Sequence, residues 1–129
     1  MFEHRFEGYD CIPWSTVQTL RLVDRRFPGL LRGEKTDTIR LNEGDIEPGF
    51  LRYESLSQDQ HTVVYVTSVE RLPLREVAGR TRDDPVQPTP EQMLERMLVY
   101  YPDITLDTVV LYVEHLTPQE TRRRYPELS

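Results

Sequence analysis

With 129 residues, the chain is long enough to form one domain with its own hydrophobic core, without disulfides or structural metal. Its formal net charge of −6 argues against a general duplex-DNA-binding protein, because such domains are usually basic. Hydrophobic residues make up 37% and charged residues 29%, which is typical of globular proteins. No apolar run approaches the length of a membrane span, so no membrane partner is expected.

The N-terminal sequence "MFEHRFEGYD" has no basic region followed by an apolar stretch, so no signal peptide is predicted. Cys11 is the single cysteine and cannot form an internal disulfide. The three histidines, His4, His61 and His115, are far apart, and no Cys/His cluster has zinc-like spacing. These features predict a cytoplasmic protein without a metal or other cofactor.

Residues 1–15 contain several aromatic side chains, namely Phe2, Phe6, Tyr9 and Trp14. Disordered tails are poor in aromatic residues, so this segment is predicted to be an ordered N-terminal extension. Residues 16–116 are predicted to form the main domain, and residues 117–129 a tail or short helix.

The first half of the domain begins with a short strand, predicted near 19–23 from alternating apolar residues. Asp24 is expected to cap a short helix that continues to about Arg32, and Gly33 to end it in a left-handed or turn conformation. A second strand is predicted at 36–41. In that strand Thr36, Thr38 and Arg40 share one face.

Two further strands are predicted from "FLRYESL" and from residues 62–69, the strongest strand signal in the chain, followed by one helical turn at 74–78. A polar loop at 80–88 precedes a long amphipathic helix with a capping box at Thr89 and Gln92. Its apolar residues recur at helical spacing: Met93, Leu94, Met97, Leu98 and Tyr101. A last strand is predicted at 108–116 and a short helix from Thr117.

The sum is an α+β domain with about five to six strands, one long amphipathic helix and several short helices. Closely spaced strands with a late helix favour a small curled sheet or barrel.

The stretch "GEKTDTIR" contains Lys35, the only lysine in a chain with fifteen arginines. A lysine and a threonine three residues apart point to opposite faces of a regular strand, so Lys35 and Thr38 converge only if Lys35 belongs to the turn. An ammonium, hydroxyls and the Arg40 guanidinium around one concavity would suit an anionic or carbonyl-bearing ligand.

Three segments, "LLRGEKTDTIRL", "EPGFLRYES" and "VVYVTSVERLPLREV", resemble the ASCH family of PUA-like β-barrels. The family pattern of G-x-K followed by T-x-R is matched by Gly33, Lys35, Thr38 and Arg40. The resemblance covers roughly residues 19–116. It implies a small PUA-like mixed barrel with a motif-lined pocket.

The resemblance also implies a function, because members of the family are linked to RNA or nucleoside binding. The ligand-binding residues would be those of the motif and two loop arginines: Gly33, Lys35, Thr36, Thr38, Arg40, Arg80 and Arg82. Trp14 and Tyr53 are candidates for stacking on a base, although aromatic residues are more often part of a core.

One bacterial branch of the family removes the acyl group from N4-acetylcytidine with the motif lysine and threonine and a glutamate before the long helix. Transferred to this chain, Lys35 would be the base and Thr38 the nucleophile. Arginine could not replace that base, because it stays protonated. The glutamate has no counterpart: the segment offers Asp83 and Asp84, of which Asp84 is the candidate.

Other interpretations remain open at this point. Lys35, Thr38 and Arg40 could simply tie the strand to a loop, through hydrogen bonds and an ion pair with Glu34 or Asp37. Asp83 and Asp84 could be capping or solvated residues. The domain could also be a regulatory protein-interaction module, with the C-terminal arginines as a docking surface.

Overall fold

The computed structural model describes residues 17–41, 44–81 and 88–126. The predicted N-terminal extension therefore lies outside the described residues. In chain order the elements are β1 (Gln18–Leu22), a 3₁₀ turn (Asp24–Arg26), α1 (Phe27–Arg32), β2 (Asp37–Arg40), β3 (Gly49–Ser55), β4 (His61–Pro73), α2 (Leu74–Val77), α3 (Pro90–Leu98), β5 (Val109–His115) and α4 (Pro118–Arg124). The fold is α+β, as the sequence predicts.

The described strands form one five-stranded sheet in the order β1-β3-β4-β5-β2, curled into a half-barrel. β1 runs parallel to β3, and the other neighbouring strands are antiparallel. β1 and β2 are thus the two edges, and they do not pair with each other within the described residues. The gap between these two edges is the region where the candidate site lies.

Apolar side chains pack on both faces of the sheet. One core cluster lies on the face that carries Leu51, Val64 and Val113, and it includes Phe27 and Leu30 of α1. The other cluster packs α2 and α3 against the opposite face through residues such as Val110 and Tyr112. β5 contributes to both clusters, because successive side chains of a strand point to opposite faces.

The turn after α1 forms as the sequence predicts. Gly33 follows the last residue of α1 with a φ of 85°, a left-handed conformation that glycine adopts without a steric penalty. Its amide donates to the Leu30 carbonyl, and the Glu34 amide donates to the Gly29 carbonyl. The prediction that Asp24 caps this helix is wrong: Asp24 is the first residue of the 3₁₀ turn, and its carboxylate accepts a hydrogen bond from the Ser57 amide.

The capping box of α3 is also present. The Gln92 amide donates to Thr89 Oγ1 at 3.1 Å, and the Thr89 amide donates to Gln92 Oε1 at 3.0 Å. The long amphipathic helix is not confirmed, because α3 has nine residues and ends at Leu98. The amides of Tyr100 and Tyr101 both donate to the Met97 carbonyl, so the chain tightens into a turn before Pro102.

The helix predicted from Thr117 is confirmed as α4, where Thr117 caps the N-terminus by accepting from the Glu120 amide. The hydroxyl of Thr121 accepts from the Tyr65 amide, which holds α4 against β4. The ring of Tyr125 stacks on Tyr65. The three arginines at the end of the helix are exposed, as a solvated face requires.

Within the described parts of the chain, none of the helices is long and apolar enough to cross a bilayer.

Substituting Gly33 by alanine should destabilise the protein by about 1–2 kcal/mol, because any other residue is strained at this φ. A Cβ at this position would also lie 3.1 Å from Gln119 Oε1 and 3.3 Å from Thr117 Cγ2. The free energy of unfolding from urea titration measures the effect.

Gly29→Ala is the matched control. This glycine lies inside α1, and an added Cβ would meet only Glu34 Oε1 at 3.7 Å, an ordinary contact. Alanine favours a helix over glycine, so Gly29→Ala should leave stability unchanged or raise it by about 0.5–1 kcal/mol. Equal losses in the two variants would mean that the left-handed turn has no special role.

Candidate functional site

A cavity of about 440 Å³ lies between the two edge strands of the sheet, and we call it the basic cavity. Its size falls within the range of small-molecule sites in proteins. Most of the lining residues come from the end of β1, the 3₁₀ turn, the segment before β2, β2 itself and α3 with the turn that follows it, and one residue each comes from the segments after β3 and α2. They are Arg21, Leu22, Val23, Arg26, Lys35, Asp37, Thr38, Ile39, Arg40, Leu56, Thr81, Met93, Arg96, Met97, Tyr100 and Tyr101.

Lys35 reaches the basic cavity because it lies before β2, in the turn that Gly33 begins. Its side chain is buried, with an exposed fraction of 7%, and its Nζ donates to the Asp37 carbonyl at 2.6 Å. A buried ammonium needs such hydrogen bonds to offset the loss of water. The turn thus lets Lys35 and Thr38 line one cavity, which a regular strand from 35 to 38 would prevent.

Thr38 and Arg40 project from the same face of β2, as strand alternation requires. Both are buried, and Arg40 Nε donates to Thr38 Oγ1 at 3.0 Å. This bond uses one lone pair of the hydroxyl, so the hydroxyl proton remains available to an acceptor in the cavity. The guanidinium therefore orients the hydroxyl without removing its ability to donate.

Asp37 supplies the one carboxylate among the lining residues of the basic cavity, and it is almost fully buried. The Tyr112 hydroxyl lies 2.8 Å from Asp37 Oδ2 and 2.7 Å from the Arg80 carbonyl oxygen. Its single proton thus faces two acceptors, one at the start of β2 and one after α2. The hydrogen bond to Asp37 joins β2 to the core cluster that contains α2 and α3, and it holds the Asp37 carboxylate in place.

His115 is buried in β5 close to this group. The Leu116 carbonyl can only accept, so Nδ1 of His115 donates to it at 2.7 Å, and Nε2 then accepts from the Tyr53 hydroxyl at 3.0 Å. The pKa of His115 is lowered to about 4, mainly by burial and to a lesser extent by the positive charge of Lys35, while the Leu116 carbonyl and Asp37 act in the opposite direction. The imidazole is therefore neutral at pH 7.

The structure unites part of the predicted site. Lys35, Thr38 and Arg40 line one cavity. Gly33 and Thr36 lie outside the lining: Gly33 shapes the turn, and the Thr36 carbonyl accepts from the His115 amide.

The other candidates lie elsewhere. Arg80 is paired with Glu70 and lies over the Tyr112 ring, outside the lining. Tyr53 is fully buried, so the idea that it stacks on a base is wrong. Trp14, Arg82, Asp83 and Asp84 lie outside the described residues.

Sequence reasoning missed the arginines and the α3 residues that complete the cavity. Arg21 alternates with Leu20 and Leu22 in β1, and this alternation signals that it points away from the core. Met93, Met97 and Tyr101 are spaced by four residues, as are Arg96 and Tyr100, so the sequence predicts that they follow one side of a helix, although α3 ends at Leu98. Neither pattern indicates that these residues face β2.

The described residues contain no group of three or more His, Cys, Asp or Glu side chains placed to hold a metal ion.

Comparison with known proteins adds no relative. No model of a known protein family matches the chain, and no curated protein or solved structure matches it.

The pKa of His115 predicts a loss of stability in mild acid. The unfolded imidazole binds a proton near its ordinary pKa of 6.5, and the folded one only near 4. His115 therefore contributes roughly 3 kcal/mol to the free energy of unfolding above about pH 6.5. This contribution falls as the pH is lowered and is lost by about pH 4. Urea unfolding at a series of pH values measures this slope.

His115→Gln removes the titrating group and should flatten the slope between about pH 6.5 and 4, even though the variant is less stable at neutral pH. A variant that retained the full slope would show that other groups cause the loss.

Proposed function

We propose that the protein is an ASCH-like domain that binds a nucleoside or a short single-stranded RNA in the basic cavity. The observation that carries the proposal is the convergence of Lys35, Thr38 and Arg40, the motif residues, on one cavity. On this proposal the curled five-stranded sheet belongs to the PUA-like barrels. A cytoplasmic location is part of this proposal, and the single cysteine favours it.

The charge of the basic cavity supports this ligand class. Its lining has five cationic side chains and one carboxylate, whereas the whole chain has a formal net charge of −6. Positively charged groups in a cleft with low-dielectric walls concentrate the electrostatic field, which attracts a negatively charged ligand. An acidic protein can therefore bind such a ligand without attracting duplex DNA in general.

The apolar part of the lining supports a ligand with a flat body. Leu22, Ile39, Met93 and Met97 line the cavity together with two tyrosines. Bases in single strands are recognised by stacking and by hydrogen bonds to their edges, and methionine packs well against aromatic rings. Lys35 and Arg40 would then contact electronegative atoms of the base or of a phosphate.

Calorimetric titration with the four ribonucleosides and with a short single-stranded RNA tests the proposal. We expect at least one of these ligands to bind, and Lys35→Gln to weaken that binding at least about tenfold, since a charge-assisted hydrogen bond is lost. Arg122→Gln, an exposed change in α4 outside the cavity, is the control. The absence of binding by every ligand would contradict the proposal.

A second candidate function is deacylation of an N4-acylated cytidine. The contact that favours it is the Arg40 hydrogen bond, which orients the buried Thr38 hydroxyl in the same cavity as Lys35. In this reaction Thr38 Oγ would attack the acyl carbon as Lys35, in its neutral amine form, takes the hydroxyl proton, and the amino group of cytidine would leave with that proton. Water would then release the acyl group from Thr38 as a carboxylic acid. Asp37 is the carboxylate that lines the cavity in the described part of the chain.

Incubation with N4-acetylcytidine, followed by chromatography, tests the enzyme. We expect cytidine and acetate to appear, and both Thr38→Val and Lys35→Arg to reduce the rate at least about a hundredfold, because the nucleophile and the base act together. Lys35→Arg keeps the charge but cannot take up a proton. Turnover that survived this substitution would exclude Lys35 as the base, and no turnover by the unaltered protein would exclude the reaction.

A further inference from the structure

The basic cavity has an inner and an outer set of cations. The inner set, Lys35 and Arg40, is buried and hydrogen-bonded within the motif. The outer set consists of Arg21, Arg26 and Arg96, all of which are exposed while still lining the cavity. We call these three residues the outer arginines. They are not part of the G-x-K-x-x-T-x-R pattern.

The outer arginines come from three different elements. Arg21 lies in β1, Arg26 ends the 3₁₀ turn and Arg96 lies in α3. A hydrogen bond of 3.1 Å from Arg25 Nη2 to the Tyr100 hydroxyl joins the 3₁₀ turn to the turn that follows α3, and Tyr100 also lines the cavity. The two elements that carry Arg26 and Arg96 are therefore held together at the mouth of the cavity.

The carboxylate in the lining is shielded from solvent, whereas the outer arginines are exposed. Asp37 is 2% exposed and is held by Tyr112, so it belongs to the buried inner part of the cavity. Three exposed arginines that line one cavity match a ligand group that carries more than one acceptor oxygen and a full negative charge. Arginine binds phosphate in this way, through two parallel hydrogen bonds.

A free inorganic anion would use only this outer part. The remainder of the cavity is lined by side chains that suit an uncharged body, including Leu22, Met93, Met97 and Tyr101. Behind them Thr38 and Lys35 provide polar groups of the inner part. The lining therefore matches a ligand with a charged end at the mouth and a less polar body inside.

We propose that the outer arginines form a phosphate subsite, and that the ligand of the basic cavity is a phosphorylated nucleoside with its base directed inward. This inference rests on the proposed nucleoside-binding function and specifies the ligand class. It assigns the phosphate to residues of β1, the 3₁₀ turn and α3, and leaves the base edge to the motif residues.

The test compares each ribonucleoside with its 5′-monophosphate by calorimetric titration, using the full chain. We expect the monophosphate to bind at least about tenfold tighter than the nucleoside, since a phosphate adds charge-assisted hydrogen bonds. This advantage should shrink as salt is raised from about 50 to 200 mM. In Arg21→Gln/Arg96→Gln the ratio of the two affinities should fall to about one, while Arg122→Gln should keep the ratio of the unaltered protein.

Before the affinities are compared, thermal unfolding monitored by circular dichroism confirms that each variant is folded. Inorganic phosphate, titrated alone, should bind weakly to the unaltered protein and not to the double variant.

Three results would overturn the inference. Equal affinity for nucleoside and monophosphate would remove the phosphate subsite and leave the proposed function standing. A phosphate preference that survives the double variant would assign the phosphate to other residues. If neither nucleoside nor monophosphate binds, the proposed function fails, and this inference fails with it.

Discussion

The burial of β5 on both faces is the constraint on which the rest of the structure depends. Leu111 and Val113 enter one core cluster, and Val110 and Tyr112 enter the other. The strand therefore cannot slip by one residue without exchanging the two sets of side chains. The same register gives Tyr112 its contact with Asp37, and His115 its contact with Tyr53. Because the motif strand β2 pairs with β5, the packing of β5 in both core clusters also fixes the position of β2.

This arrangement explains how a site rich in cations exists in a small acidic domain. β2 is an edge strand, and β1 is the opposite edge, so the curled sheet leaves side chains of both strands facing a common space. The apolar side of α3 covers part of that space with methionines, while Arg96 and Tyr100 remain at its exposed rim.

Features that depend on neighbouring residues could be predicted from the sequence. The left-handed Gly33, the capping box of α3 and the short final helix are set by local backbone preferences and hydrogen bonds. The prediction that Lys35 belongs to a turn follows from the same kind of evidence. It correctly brings the lysine to the same cavity as Thr38.

Features that depend on tertiary packing could not be predicted. The parallel pairing of β1 with β3 joins strands separated by the whole of α1 and β2, and the apolar alternation of each strand is compatible with several partners. The helical spacing continues to Tyr101, but α3 ends at Leu98 because the chain tightens around the Met97 carbonyl. Arg21 and Arg96 look like ordinary surface residues in the sequence, and only the fold brings them to one cavity.

The contact between α4 and the Gly33 turn has a consequence for how the motif can be used. The side chain of Gln119 donates to the Leu31 carbonyl, across 88 positions of sequence, and Thr117 packs beside Gly33. The eight residues "GEKTDTIR" therefore do not constitute an autonomous recognition element. Excised as a peptide, or grafted without the C-terminal helix, they would lose the outside support of the bend that presents Lys35. Transfer of this site to another protein must include α4 together with α1 and the turn that follows it.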